Sequence, residues 1–242
     1  MATTLRIGSQ GFDVVVLQVQ LNVKNPPNLK LKVDGAFGLN TQAAVISLQR
    51  RMGLAPDGTV GPLTHAALAN GLTLSTANHS LTLIAQPTPT TCWAAATAMM
   101  TRSTVAAVIA KTPTDMILFD GSLYNSSDTD QAVVDGTRYG NIHGLRCYAP
   151  MSWSVSALCA ALRQSPLMFN MLWKSAEYAQ GTESPGHMIV ISSVVSDNNP
   201  SGKGTYLQIL DPWPPRVGNK SWVEYQHWII DVPTRTYLVF SR

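Results

Sequence analysis

Cys92 stands where a proline-broken lead-in, Gln86-Pro-Thr-Pro-Thr-Thr, meets an alanine-rich run, Cys92-Trp-Ala-Ala-Ala-Thr-Ala-Met-Met100. Thr90 and Thr91 are residue types that cap helix starts, so Cys92 is expected in or just before a first helical turn. Backbone N–H groups without helical acceptors, and the positive end of the helix dipole, favour an anion at that place. A thiol attacks only as the thiolate, and a helix N-terminus favours that form. Gln86 lies upstream, beyond a stiff Pro-Thr-Pro turn. Its amide can swing in beside Cys92 and, with the Cys92 N–H, donate to a developing oxyanion. A free cysteine is most often a small core residue, so Cys92 alone decides nothing.

The other half of the chemistry comes from a pair of strands. His187 opens the apolar run Met188-Ile-Val-Ile-Ser-Ser-Val-Val195, a turn follows at Asp197–Gly204, and Thr205-Tyr-Leu-Gln-Ile-Leu210 returns to Asp211-Pro-Trp213. Two strands joined by one turn pair antiparallel, so the start of the first lies beside the end of the second. That puts His187 next to Asp211. An acidic group there fixes the imidazole tautomer and stabilises imidazolium. A glutamine, a cysteine, a histidine and an acid, each in a suitable local setting, fit nucleophilic acyl transfer. Cys92, His187, Asp211 and Gln86 are the candidate catalytic residues. Trp93 and Trp213 are the candidate substrate contacts, and Trp213 also covers the His187–Asp211 pair. The rival acids are Glu183, in the loop before His187, and Asp197, expected at the far end of the hairpin.

These residues must be carried by something, and 242 residues suffice for one large domain or two modest ones. A hydrophobic fraction of 45% with 13% charged residues is a globular balance. A net charge of +3 with no basic arm gives no case for nucleic acid. No apolar run reaches membrane-span length. Three cysteines suggest no disulfide framework, and no Cys/His spacing suggests a metal; no cofactor is expected.

The first part of the chain repeats itself. Asp34-Gly35-Ala-Phe37-Gly38-Leu-Asn-Thr41-Gln-Ala-Ala-Val45 matches Asp57-Gly58-Thr-Val60-Gly61-Pro-Leu-Thr64-His-Ala-Ala-Leu68, and a Leu-Gln pair precedes each copy at Leu17-Gln18 and Leu48-Gln49. Asp-Gly makes a turn, the apolar residue plugs a core, the second glycine permits an unusual backbone angle, and threonine marks a helix start. Three short helices are expected near 12–22, 40–52 and 62–69, with Gly53 stopping the second. His65 reads as a helix-surface residue. Residues 5–69 thereby resemble the small three-helix peptidoglycan-binding domain of bacterial cell-wall hydrolases. The resemblance implies affinity for wall glycopeptide; a spacer that no longer binds sugar is the alternative, since the repeat residues read as turn and core positions.

Past a Ser/Thr/Asn-rich boundary, Ser80–Ile84 alternates like a strand. Residues 103–111 continue as a helix. Residues 112–150 carry no assignable pattern, and His143 there reads as an exposed loop histidine. Val155, Leu158, Cys159 and Leu162 share one helix face, which makes Cys159 a core residue, and Leu167–Trp173 reads as a buried strand. With Gln86, Cys92-Trp93, Gly186-His187 and Asp211-Pro-Trp213 in this order, residues 80–242 resemble the papain-like cysteine peptidases. Aspartate where that family commonly has asparagine is similar to its smaller bacterial branches, the bacteriocin-leader peptidases and secreted effector proteases.

The expected fold is α+β: a helical module over 1–72, a linker over 73–84, and over 85–242 a papain-like domain with a central helix on an antiparallel sheet. The expected function is hydrolysis of peptide or amide bonds by a Cys-His-Asp triad at the bacterial cell wall, with peptidoglycan as partner. A secreted effector protease acting on a protein substrate is the second reading, with the module serving anchoring or transport and an immunity or inhibitor protein as a possible partner. A non-enzymatic wall-binding protein is the third. The N-terminus lacks the apolar segment of a secretory signal, so export is expected by a dedicated machine such as type VI secretion, and otherwise a cytoplasmic location.

Overall fold

The computed structural model describes residues 3–24, 30–124, 126, 128–172, 186–231 and 238–242. Its N-terminal part packs α1 (Phe12–Lys24), α2 (Leu39–Arg51) and α3 (Pro62–Ala69) around Leu5, Leu17, Leu21, Val45, Leu48 and Leu68. The repeat proves to be one hydrogen-bonding scheme used twice. Buried Gln18 donates from Nε2 to Asp34 Oδ1 (2.9 Å), and its Oε1 accepts from the N–H groups of Asp34 and Gly35. Buried Gln49 likewise donates to Asp57 Oδ1 (2.9 Å) and accepts from Gly58 N. Each glutamine thus ties a helix to the turn after it. The backbone freedom belongs to the first glycine of each copy: Gly35 and Gly58 have φ of +75° and +72°, whereas Gly38 and Gly61 are extended at −95° and −91°. This corrects the expectation for the second glycine, which any residue could replace conformationally.

The second part is a sheet covered on both faces. Its strands are β1 (Ser75–Asn78), β2 (Arg146–Tyr148), β3 (Leu167–Leu172), β4 (Gly186–Ser196), β5 (Thr205–Asp211), β6 (Asn219–Glu224) and β7 (Leu238–Ser241). The order is β2-β7-β3-β4-β5-β6, all antiparallel, and β1 adds to the outer half of β4 beyond the end of β3. One face packs Met168, Met188, Val190, Leu210 and Phe240 against α4 (Cys92–Thr101) and α6 (Thr129–His143), with α5 (Val105–Lys111) outside them. The other face packs Phe169, Ile189, Ile191, Leu207 and Val239 against α7 (Val155–Gln164) and α8 (Tyr225–Asp231). Burial on both faces is why β4 reads as a continuous apolar run rather than an alternation. The architecture is α+β.

Three readings of the sequence change. The alternation at 80–84 is not a strand: Leu81, Leu83 and Ile84 plug the α4 core from an extended segment, and the strand lies earlier, at β1. Residues 129–143 form a helix despite Gly136 and Gly140, started by Asp128, whose carboxylate accepts from Gln131 N at 2.8 Å. Both glycines serve close packing, since a Cβ on Gly136 would lie 2.5 Å from Leu238 Cδ1 and one on Gly140 2.6 Å from Leu145 O. His143 is no exposed loop residue. It ends α6 buried, stacked on Tyr139 with ring centroids 4.6 Å apart and bonded through Nε2 to Thr112 Oγ1 at 2.9 Å. Glu183, Trp173 and the loop before Pro185 lie outside the described residues.

The two parts touch. Val15, Val19 and Val33 share a buried cluster with Val195 of β4 and Tyr206 of β5. Phe12 meets Trp222 of β6 at 6.1 Å between centroids, and Lys30 pairs with the buried Glu224 carboxylate at 2.9 Å.

Candidate active site

Helix α4 is buried along its length, Cys92 to Met100, as befits a helix apolar on every side. Cys92 is its first residue. Thr91 precedes it without a side-chain cap, spending its hydroxyl on Thr88 instead. The first-turn N–H groups therefore take no side-chain cap from Thr91. At the other end the Arg242 guanidinium bonds to the carbonyls of Met99 and Met100, a cation where the helix dipole favours one.

His187, the second residue of β4, donates from Nε2 to Asp211 Oδ1 at 2.7 Å. The same oxygen accepts the Trp213 N–H at 2.8 Å, which holds the carboxylate from two sides. The Nδ1 side of the ring remains for Cys92, and the two side chains are hydrogen-bonded. Burial alone would lower the imidazole pKa. Its hydrogen bonds to Asp211 and Cys92, with their charges, outweigh it and raise the pKa to about 9. At neutral pH the site therefore holds an imidazolium between a carboxylate and a sulfur.

Gln86 is fully buried, and its backbone is stitched to the segment after Asp211: its N–H donates to Pro212 O (3.1 Å) and its C=O accepts from Arg216 N (2.8 Å). Its side-chain Nε2 donates to Thr88 O at 2.8 Å. An amide nitrogen carries two hydrogens, so this bond orients the group and leaves a second donor. The Cys92 loop and the His187–Asp211 hairpin thus meet through Gln86. Asp197 sits at the opposite end of the β4–β5 hairpin, bonded to Gly204 and Asn199.

Trp93 departs from its expected place. It is 2% exposed, points into the core against Tyr139, and donates from Nε1 to Gly121 O at 3.0 Å. A buried indole offers no surface to a ligand, so its role is to anchor the start of α4. Trp213 keeps a partly exposed side chain. The sequence reading missed the turn that Trp93 grips. Leu118-Phe-Asp-Gly-Ser122 tips a short hairpin, and Thr90 Oγ1 donates to Asp120 O at 2.8 Å. Asp120-Gly121 was the available turn signal. The turn is bonded on both sides of Cys92 and carries Phe119 fully exposed.

Residues 10–68 match the family "Putative peptidoglycan binding domain". The zinc D-Ala-D-Ala carboxypeptidase of Streptomyces albus G is 43% identical over 61 residues, which are 25% of this chain and 24% of that protein. The chain thus spans about a quarter of the length of this curated relative. Among solved structures, the SleB N-terminal domain is similar at 33% identity over 29% of this chain and 93% of that one, with a TM-score of 0.27. A Burkholderia AP3 phage endolysin is similar at 38% identity over 29% of this chain and 26% of that one, also at 0.27. A fused Zn-dependent amidase/peptidase/peptidoglycan-binding protein from Clostridium acetobutylicum ATCC 824 is similar at 29% identity over 37% and 38%, at 0.26. Residues 75–228, more than half of the chain and the part that carries Cys92, His187 and Asp211, match the family model of the papain-like cysteine protease AvrRpt2; the chain belongs to that family.

Proposed function

We propose that this protein is a cysteine peptidase held at the bacterial cell wall by its N-terminal module, cutting a peptide bond of the wall. The observation that carries this reading is the buried His187–Asp211 bond of 2.7 Å with the imidazole hydrogen-bonded to Cys92 at the start of α4. The Cys92 thiolate attacks the scissile carbonyl carbon. The second N–H of Gln86 and the Cys92 N–H donate to the oxyanion. The tetrahedral intermediate collapses as His187 gives its proton to the leaving amine, which departs and leaves a thioester. His187, now neutral, takes a proton from water, whose oxygen attacks the thioester; the acid product leaves and the thiolate–imidazolium pair returns. Asp211 orients the ring throughout.

A protein substrate is the second reading. The exposed Phe119, on a turn bonded to Thr90 and Trp93 on either side of Cys92, favours it, because a fully exposed large apolar side chain at a site suits a polypeptide. Incubation of purified sacculi and, separately, a denatured protein mixture with the enzyme and with Cys92→Ala tests both. New amino groups from sacculi, absent with Cys92→Ala, support the wall reading; release from the protein mixture alone selects the second. Release from neither, or equal release by Cys92→Ala, overturns the peptidase reading.

A further inference from the structure

The strands that carry the candidate catalytic pair have two ends, and the N-terminal module grips the other one. His187 is near the start of β4 and Asp211 ends β5. At the far end of the same strands, Val195 and Tyr206 are buried against Val15 and Val19 of α1. The chain leaving the module is bound there too. Asn198 Nδ2 donates to Thr73 O at 3.0 Å, Ser75 Oγ bonds Asn198 Oδ1 at 2.6 Å, and β1 pairs with residues 193–196 of β4.

The ladder between β4 and β5 is unequal about a bulge at Ser192. On the site side only Val190↔Leu210 and Ile191↔Ile209 pair, and His187 lies beyond them. On the module side four pairs run from Ser193↔Gln208 to Ser196↔Thr205. A polar chain crosses the bulge: Asn78 Oδ1 accepts from Ser193 Oγ, and Gln208 Oε1 accepts from Ser192 Oγ (2.9 Å) and Ser193 Oγ (3.3 Å). A bulge bends and twists its strand, so the half beyond it sets the direction of the half that carries the site. In the β4–β5 ladder the longer half is the one fastened to the module, while β3 and β6 pair the site-side half at Met171↔His187 and Asn219↔Asp211.

We propose that the N-terminal module is a positioning brace for the catalytic pair: by holding the far end of β4 and β5, through Val15, Val19 and Lys30 on its side and Val195, Tyr206 and Glu224 on the other, it fixes how His187 meets Asp211. Its role in catalysis rests on the peptidase reading above; its effect on the pair does not. The module then contributes to turnover in solution, without any wall present.

The test uses the full chain carrying Val19→Asp with Lys30→Glu, and independently Tyr206→Ala from the sheet side. Small-angle scattering and amide exchange of Ser75–Asn78 report whether the module has come away. Carbon-detected NMR titration of His187 reports the pair directly, since its raised pKa comes from Asp211 and Cys92. With the module displaced, the His187 midpoint is expected to fall from near 9 toward the free value of about 6.5, and the alkylation rate of Cys92 by iodoacetamide to fall with it. A displaced module with the wild-type midpoint overturns the brace. An undisplaced module in both variants also overturns it, because the named contacts then do not hold it. Wild-type Cys92 alkylating no faster than Cys147 would instead overturn the peptidase reading, and the midpoint shift would still decide the brace.

Discussion

At the scale of single residues, the surroundings of the three cysteines set them apart more than their exposure does, for Cys147 is the most exposed of them. Burial pushes the Cys147 thiol up to about 11 and raises Cys159, whereas Cys92 adjoins an imidazolium at a helix start. Iodoacetamide, followed by peptide mapping, should therefore modify Cys92 first at pH 7, and His187→Ala should remove that lead; equal rates at all three cysteines would refute an activated thiolate. The acid is tested by substitution. Asp211→Ala frees the ring to rotate and should cost roughly tens to thousands-fold in kcat, while Asp211→Asn, which still accepts the Nε2–H bond, should cost less. Asp197→Ala, at the opposite end of the hairpin, should leave kcat near wild type; loss of turnover there would mean that the wrong carboxylate has been assigned. On the proposed mechanism, activity should also decline as pH rises through about 9, where His187 loses the proton that mechanism gives to the leaving amine.

At the scale of elements, the repeat glutamines make a sharp case. Gln49→Ala removes the acceptor of Gly58 N and the donor to Asp57, Thr59 and Thr64 from a buried site. Stranding buried polar groups should cost about 2–3 kcal/mol, measured by urea unfolding, and Gln18→Ala should cost at least as much, because its side chain makes the corresponding bonds and also accepts from Asp34 N. What the sequence disclosed about elements follows from how local their causes are. The three module helices, α7 and the β4–β5 hairpin were legible because an apolar period or a turn signal lies within each. The pairing of His187 with Asp211 was legible because a hairpin fixes which ends meet. Helix α6 was hidden by Gly136 and Gly140, chosen for contacts with Leu238 and Leu145 that no local pattern records. Strand β1 was hidden because Ser75-Thr-Ala-Asn78 has no strand pattern of its own; its ladder partner is a strand far along the chain. Trp93 was misplaced because only the folded turn at Gly121 shows that its indole is consumed.

At the scale of the whole molecule, two histidines set opposing pH limits on stability. The folded pKa of His143, lowered by burial and by the charge of Lys111, is about 4, below its unfolded value of 6.5, so its contribution is complete above 6.5 and is lost as pH falls toward 4. The folded pKa of His187 is about 9, above 6.5, so its contribution is complete below 6.5 and is lost as pH rises through 9. Urea midpoints should therefore be highest near pH 6.5, with His143→Gln flattening the acid side and His187→Gln the alkaline side. The shared Val15–Val19–Val195–Tyr206 cluster and the Lys30–Glu224 pair should also merge the two parts into one calorimetric transition; two separated transitions would mean that this interface contributes little.

The position of β7 in the sheet bears on how the protein is made. This strand, Leu238–Ser241, lies between β2 and β3 rather than at an edge, and β1 waits for residues 193–196 of β4 before it has a partner. On the ribosome the helical module can close as soon as its residues emerge, since its contacts are local. The sheet cannot close until the chain has been synthesised through residue 241. A nascent chain therefore carries a finished module beside an unassembled candidate site, and His187 and Asp211 gain their completed sheet only once β7 has emerged.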